Sequence, residues 1–499
     1  LDPPNPFTTA ELIPRAMIER LHTFRRRVAE CLATARDGRW QVTRSQRPAP
    51  LYAAGVDCVL PAGRGWAWRF DKADERWYPL MPSSWPSQPP ESDLDIGSIV
   101  DYAEKFGFPD AEIVSFMAHG YPGPELDLCA ILGPPHVGAL KEPAAFDKCA
   151  KKDRDRGWVH HGFALPPIWP MRADPMNIVM RNGKARMTID KTMQLVDGVA
   201  SYNDSVDLEA IPEIEYVKVS ELARAIAVLN TADAPIKIWG FDLDSYFRRT
   251  GKQHVHWWMS GFVHSDGYGY DPRIQFGQRE APVLCGRQSC FIVWAVRREL
   301  ARLDAAYPSL EEPVLAWLKQ RREAAVAAGA DAADAYRWAV LCYAPMYVDD
   351  IGAASINDLL FDHRGDRVML ARGGVDGAAC QQRRASLHFD AAVGVVKHFG
   401  HADSEGKSWH PGECMDFLSA TLDLNREALY LTELKRDPYA SAIVALVGGE
   451  TASKVELKVG ADELNSLCHK LLHAASTIIL GRAHTFYILR ALRAKTRLT

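Results

Sequence analysis

An α+β fold is what this sequence predicts. Two patterns carry that expectation. Apolar residues recur at helical spacing in Met17, Leu21, Phe24, Val28 and Leu32, while Ile236 to Phe241 and Pro345 to Ile351 read as short strands next to carboxylates. Size is a third observation: 499 residues, 47% hydrophobic and 24% charged, suffice for about three or four packed subdomains. The net charge of −4 argues mildly against a nucleic-acid protein unless the positive charge is segregated. The 10 cysteines form no C-x-x-C pair, which fits a reducing, intracellular compartment, cytoplasmic or nuclear, better than a secreted disulfide framework. No apolar run approaches the ~20 residues of a membrane span, and "LDPPNPFTTAEL" lacks the features of a signal peptide. A start without Met suggests a processed or excised piece.

In chain order, Pro14 to Ala35 predicts a helix whose Arg25, Arg26 and Arg27 fall mostly on its polar face. "GWAWRFDKADERWYPL", from Gly65, predicts two aromatic strands around a polar turn, and "LMPSSWPSQPPESD", from Leu80, a boundary. "NIVMRNGKARMTID", from Asn177 to Asp190, predicts a hairpin turning at Asn182-Gly183, with Arg181, Lys184 and Arg186 around the turn. The strand Ile236 to Phe241 delivers Asp242 at its end; Asp242 or Asp244 also suits a turn cap. After Pro282 a helix is expected, with Phe291, Trp294 and Leu300 inward. His254 and His256, in "KQHVHWW", read as strand-surface residues without a third metal ligand, and Cys285 and Cys290 as packed thiols.

"CYAPMYVDDIGAASIND", Cys342 to Asp358, sets the mutually repelling Asp349 and Asp350 between apolar residues. Taken alone, Tyr347 to Asp350 is better explained by a solvated hairpin tip than by a divalent-metal site.

The motifs in order are more specific than any one of them. A D-x-x-x-x-[FY] pattern at Asp242 to Phe247, an FG loop followed by AP at Phe276, Gly277, Ala281 and Pro282, and a YxDD at Tyr347 to Asp350 together resemble the reverse transcriptases of retroelements, of LTR or DIRS-like type. The basic hairpin is similar to that family's fingers hairpin, with Lys184, Arg186 and Asp190 at its offsets. "FGHADSEGKSWHPGECMDFLSATLD" is similar to its later palm motifs, and "LNSLCHKLLHAASTIILGRAHTFYILRAL" to its thumb or connection helices. The resemblance covers Gly157 to Leu492.

It implies a right-hand polymerase of fingers, palm and thumb. The expected divisions are an N-terminal region of unknown role at 1–92, a connecting helical segment at 93–156, fingers at 157–235, palm at 236–300, a helical insertion at 301–340, palm at 341–450 and thumb at 451–499. The implied activity is primer extension by an RNA-directed DNA polymerase, on an RNA or DNA template, from deoxynucleoside triphosphates. Two Mg²⁺ ions, with Mn²⁺ as a substitute, would be held by Asp242, Asp349, Asp350 and the backbone carbonyl of Leu243. Lys184 and Arg186 would meet the triphosphate, Phe247 would exclude a 2′-hydroxyl, and Gln275 and Gly277 would line the nucleotide. Lys407 would protonate pyrophosphate, and Phe417 and Leu418 would form the primer grip.

Three departures stand out. The Ala-rich segment Tyr307 to Val340, with Leu315, Leu318, Arg321 and Arg322 at helical spacing, predicts an inserted helical pair; Leu418-Ser419 replaces Leu-Gly; and Ala185 replaces a larger residue. Eight basic residues, Lys454, Lys458, Lys470, Arg482, Arg490, Arg493, Lys495 and Arg497, predict a basic groove for duplex phosphates. An RNA-dependent RNA polymerase, and a retroelement-derived nucleic-acid-binding protein that does not polymerise, are the alternatives.

Overall fold

The computed structural model describes residues 68–71, 76–79 and 91–447, save 125, 127–129, 165, 182, 208, 210–215, 330–340, 363, 371–379 and 405. The expected N-terminal helix, the thumb and the basic C-terminal segment lie outside the described residues, as does most of the Leu80 boundary. The chain is a mixed α+β protein with several sheets. It divides into two compact units: Leu1–Ile214 with Ser245–Gln288 and Phe399–His401, and Glu215–Asp244 with Ser289–His398 and Ala402–Thr499.

In the first unit, short helices start where a carboxylate can cap them. Asp95 accepts the Ser98 N–H at 3.0 Å ahead of the helix Ile96–Phe106, and Asp110 accepts the Ile113 N–H at 3.1 Å ahead of Ala111–His119. Gly107, at φ 69°, ends the former in the left-handed conformation. The helix Pro143–Asp155 buries Phe146 and Ala150, spaced i and i+4. A five-stranded sheet runs in the order Ile131–Leu132, Arg172–Ala173, Gly261–His264, Gly267–Tyr270 and His160–Phe163. Its core holds Trp257, Trp258, Tyr268 and Tyr270.

The aromatic pair is present as the antiparallel strands Trp68–Asp71 and Arg76–Pro79. The basic hairpin is present as Met176–Arg181 and Lys184–Ile189, with Arg181 opposite Lys184 and Gly183 at φ 72° in the turn. Ala185, Met187 and Ile189 pack with Ile178 and Phe262, so the period of two leaves Lys184 and Arg186 outward and exposed. His254 and His256 correct the strand reading: they lie in the 3-10 helix His254–Ser260. The His256 N–H closes a turn on Gln253 O at 2.9 Å and the Trp257 indole N–H donates to Lys252 O at 3.1 Å, so these bonds run along the segment and not across to a neighbouring strand. The Gly123 N–H donates to His256 Nδ1 at 2.9 Å.

In the second unit, a sheet runs Cys342–Tyr343, Asp350–Ile356, Ile236–Asp242 and Trp409–Gly412, with Met346–Tyr347 paired to the start of the second. One face holds Ile238, Ala354 and Ile356, packed with Val219, Leu222, Met415 and Phe417. On the other, the rings of Trp239 and Phe241 meet Phe389 of the helix Arg384–His398 edge-on, at 5.9 and 6.0 Å. Arg384, at the helix start, is buried and bonds both oxygens of Asp358, at 2.6 and 3.0 Å, and Asp304 at 2.7 Å. These charge-assisted bonds anchor the helix against the sheet.

The helix after Pro282 is Ala281–Ala306, with Phe291 and Leu300 buried and Trp294 half-buried. Cys285 is buried as expected, whereas Cys290 is exposed. Of the inserted pair, one helix, Glu312–Ala327, is described. Val314, Trp317 and Leu318 face inward at i, i+3 and i+4, and Leu315 is exposed.

Candidate metal centre

Two strand ends bring the carboxylates together. Ile236–Asp242 and Asp350–Ile356 are antiparallel, with Asp242 opposite Asp350, Gly240 opposite Gly352 and Ile238 opposite Ala354. A side-chain period of two puts all six on one face. The glycines matter there. A Cβ on Gly352 would lie 2.6 Å from the Phe417 ring, and one on Gly240 would lie 2.9 Å from Met415 Sδ. Their absent side chains let the strand Cys414–Phe417 cross close beneath the carboxylate end.

Asp349 arrives by the hairpin. Tyr347 pairs with Asp350, leaving Val348 and Asp349 as the turn, and Val348 adopts φ 56°. A β-branched residue in that region is strained and persists only where its surroundings dictate it. Bonds grip the turn at both carbonyls: the Ser289 hydroxyl donates to Val348 O at 2.6 Å, and the Leu243 N–H to Asp349 O at 2.9 Å. Asp242, Asp349 and Asp350 each offer an oxygen, all within 4.8 Å of one another.

A loop closes on Asp242. The Asp244 N–H donates to Ala402 O at 2.8 Å and the Ser404 N–H to Asp242 O at 2.7 Å. That pairing lands the Ser404 hydroxyl on Asp242 Oδ2 at 2.6 Å, and the Lys407 ammonium donates to the same oxygen. Burial first, then the charges of Asp349 and Asp242 and a hydrogen bond with Asp242, push the Asp350 carboxyl up to about 7, against the opposing pull of Lys407. Burial acts to lower the Lys407 ammonium, but the bond to Asp242 and the charges of all three carboxylates outweigh it and raise it. Three carboxylates thus face the ammonium of Lys407. With only hard oxygens on offer, the donor set fits Mg²⁺ or Mn²⁺.

Ser404 escaped sequence reasoning; a hydroxyl in a polar loop has no signal beyond its nearness to Lys407. Leu243 is buried, its N–H committed to Asp349. Phe417 is buried on Gly352, and Leu418 and Ser419, at φ 50° and 66°, form the turn into Ala420–Asp423. Positive φ at both turn positions is the tight-hairpin geometry, and the position of Ser419 is one where glycine is unstrained.

The remaining candidates belong to the first unit. The half-buried Phe247 ring lies 5.3 Å from that of the exposed Phe276. Gly277, at φ 117°, lies where a Cβ would strike Ile189 O, and the Ile189 N–H donates to Phe276 O at 2.9 Å. The FG loop is thereby tied to the end of the basic hairpin. Gln275 is 1% exposed, and its Oε1 accepts from the Lys252 ammonium at 3.0 Å, because the buried lysines Lys191 and Lys252 need oxygen partners.

No family model and no curated protein matches the chain. Among solved structures it is similar to the foamy viral protease-reverse transcriptase dRH in complex with double-stranded DNA, with a TM-score of 0.37 and 12% identity over 71% of this chain and 44% of that one. The foamy viral protease-reverse transcriptase with an RNA/DNA hybrid gives 0.36 and 12% over 77% and 39%, so the chain spans less than half the length of these two. The same protein with double-stranded DNA gives 0.36 and 12% over 80% and 71%. Values of this size describe a partial overlap of elements and leave the assignment to the residues themselves.

Proposed function

We propose that the chain is an RNA-directed DNA polymerase of an LTR or DIRS-like retroelement, intracellular, which extends a primer on an RNA or DNA template from deoxynucleoside triphosphates. The observation that carries it is the convergence of Asp242, Asp349 and Asp350 at the ends of paired strands, from the two motifs that the ordered set singles out.

Asp242, Asp349 and Asp350 would hold two Mg²⁺ ions, for which Mn²⁺ can substitute, and the Leu243 carbonyl would add a ligand. When bound, such ions lower the barrier to in-line displacement by neutralising charge on the attacking and leaving oxygens. Ser404 and Lys407 hold one oxygen of Asp242, which fixes that carboxylate's rotamer. The same ammonium, freed from Asp242, has the proton that leaving pyrophosphate needs. Lys184 and Arg186, both exposed, are the candidates for the triphosphate, with Arg supplying forked bonds. Phe247 would stand under the sugar, and Phe417 with Leu418 would support the primer end. A fingers, palm and thumb arrangement is part of this reading.

The test is extension of a DNA primer on matched RNA and DNA templates, with deoxy- and ribonucleotides supplied in turn. Extension with deoxynucleotides on RNA supports the reading. Extension with ribonucleotides alone favours an RNA-dependent RNA polymerase, and binding without extension favours a protein that only binds nucleic acid.

A further inference from the structure

A second cluster lies in the first unit, away in sequence from the carboxylate motifs. His161 is on the strand His160–Phe163, His264 ends Gly261–His264, and Asp266 is in the turn leading to Gly267–Tyr270. One nitrogen from each ring and a carboxylate oxygen of Asp266 all lie within 4.8 Å of one another. The sheet makes the juxtaposition: Gly267–Tyr270 pairs with both neighbouring strands, and Gly162 leaves room for Asp266, whose Oδ2 would lie 3.1 Å from a Cβ there.

We propose that His161, His264 and Asp266 bind a transition-metal cation of the zinc class. Asp266 Oδ1 lies 2.7 Å from His264 Nδ1, and Asp147 Oδ1 lies 3.1 Å from His264 Nε2 without hydrogen-bond alignment. A neutral imidazole has one N–H, so it can donate to one of these carboxylates only; its other lone pair then faces an oxygen. A metal ion on Nδ1 relieves that contact and leaves the Nε2–H for Asp147. His161 Nδ1 lies 2.9 Å from the other Asp266 oxygen, and the two ring centroids are 4.8 Å apart, with both side chains at most 4% exposed. One metal ion among them would be ligated by both rings in their neutral form and by Asp266.

The surroundings match such a site. Asp147 facing the distal nitrogen of His264 is the carboxylate that a metal-ligating histidine commonly has behind it, and the Ser265 hydroxyl donates to the same Asp147 oxygen at 2.9 Å. His161 Nε2 is buried with no hydrogen-bond partner among the described residues. Asp266 is 40% exposed, which opens the cluster to solvent on one side and leaves a coordination position for water. Two imidazoles and one carboxylate favour zinc-class ions, whereas Asp242, Asp349 and Asp350 offer oxygen alone. The ion would pin two strands and a turn together.

The experiment uses the full chain carrying Asp349→Asn, so that the carboxylate centre is disabled, stripped with chelator and titrated with Zn²⁺ against a chromogenic chelator. The expected result is about one tight equivalent, weakened about a hundredfold or more by Asp266→Asn and by His161→Gln in chains that keep their circular dichroism. Co²⁺ in place of Zn²⁺ should give the intense visible bands of a low-coordinate, nitrogen-ligated ion, without the near-ultraviolet band of thiolate ligation. Zinc affinity unmoved by both substitutions overturns the proposal. So does a Co²⁺ spectrum showing only weak oxygen-type ligation or thiolate ligation, an outcome that needs no variant to fold.

Discussion

Asp242 and Asp350 sit directly opposite each other on antiparallel strands, the position at which like charges cost a sheet stability. Asp349 is brought to the same point by a strained turn, and Lys407 and Ser404 compensate at a single oxygen.

Asp349→Asn removes one carboxylate while leaving the backbone bond from Leu243 in place. Nucleotide addition should fall on the order of a hundredfold or more, with primer-template affinity nearly unchanged. Single-turnover extension beside a gel-shift titration measures both. Near-normal extension by this variant in Mg²⁺ would sink the polymerase reading.

Crowded carboxylates should make the fold responsive to divalent ions. Mn²⁺ or Mg²⁺ at about a hundred times its dissociation constant should stabilise the chain by about 2.7 kcal/mol, and chelation should reverse it. Thermal melts of the wild type and of Asp349→Asn provide the check. An equal rise in both would place the ion elsewhere.

Gly352 and Phe417 are in mutual contact, so their substitutions should couple. Gly352→Ala pushes a methyl against the Phe417 ring and should cost about 1–3 kcal/mol. Adding Phe417→Leu should recover part of that loss. Additive losses in urea denaturation of the double variant would show that the ring is not what the methyl meets.

Phe247 divides steric selection of the sugar from mere packing. Phe247→Val should raise relative ribonucleotide incorporation about thirtyfold or more if the ring excludes a 2′-hydroxyl, a change of about 2 kcal/mol. Its ring is half-buried against Phe276, so the fold should lose about 1–2 kcal/mol, less than a full core truncation. An unchanged ribo/deoxy ratio removes Phe247 from the site.

His401 makes stability depend on pH. Burial, with the Arg249 charge second, pushes its imidazole from 6.5 down to about 3. Between those values the unfolded chain binds a proton that the folded chain does not. Stability from this group is therefore full above pH 6.5 and is lost as pH falls through the window. The slope should approach about 1.4 kcal/mol per pH unit. Urea denaturation between about pH 7 and about pH 5 should show a shallower loss for His401→Gln than for the wild type. Parallel losses in the two chains would refute this.

Much of the local structure was legible in the residues. The basic hairpin follows from Asn182-Gly183 between alternating strands, and the Ala281–Ala306 helix from apolar periodicity after Pro282. Asp242 at a strand end followed from the apolar run before it. Less was legible where burial overrode local pattern. His254 and His256 alternate like strand residues, yet local bonds from His256 N–H to Gln253 O and from the Trp257 indole to Lys252 O hold the segment in a 3-10 helix. Gln275 has the look of a loop residue, but it serves a buried lysine from a different part of the chain.

By itself the sequence determined the basic hairpin, the helix after Pro282 and the strand that ends at Asp242, and it set three aspartates in two ordered motifs, because periodicity, turn residues and motif order are local or one-dimensional. Only the tertiary structure decided that Asp242 opposes Asp350 in register, that Gly240 and Gly352 clear a path for Met415 and Phe417, and that Ser404 and Lys407 share one oxygen. The pairing of His161 with His264 and Asp266 is of the same kind. Register and side-chain contact depend on how distant strands pair, and a one-residue slip would turn every one of these side chains to the opposite face.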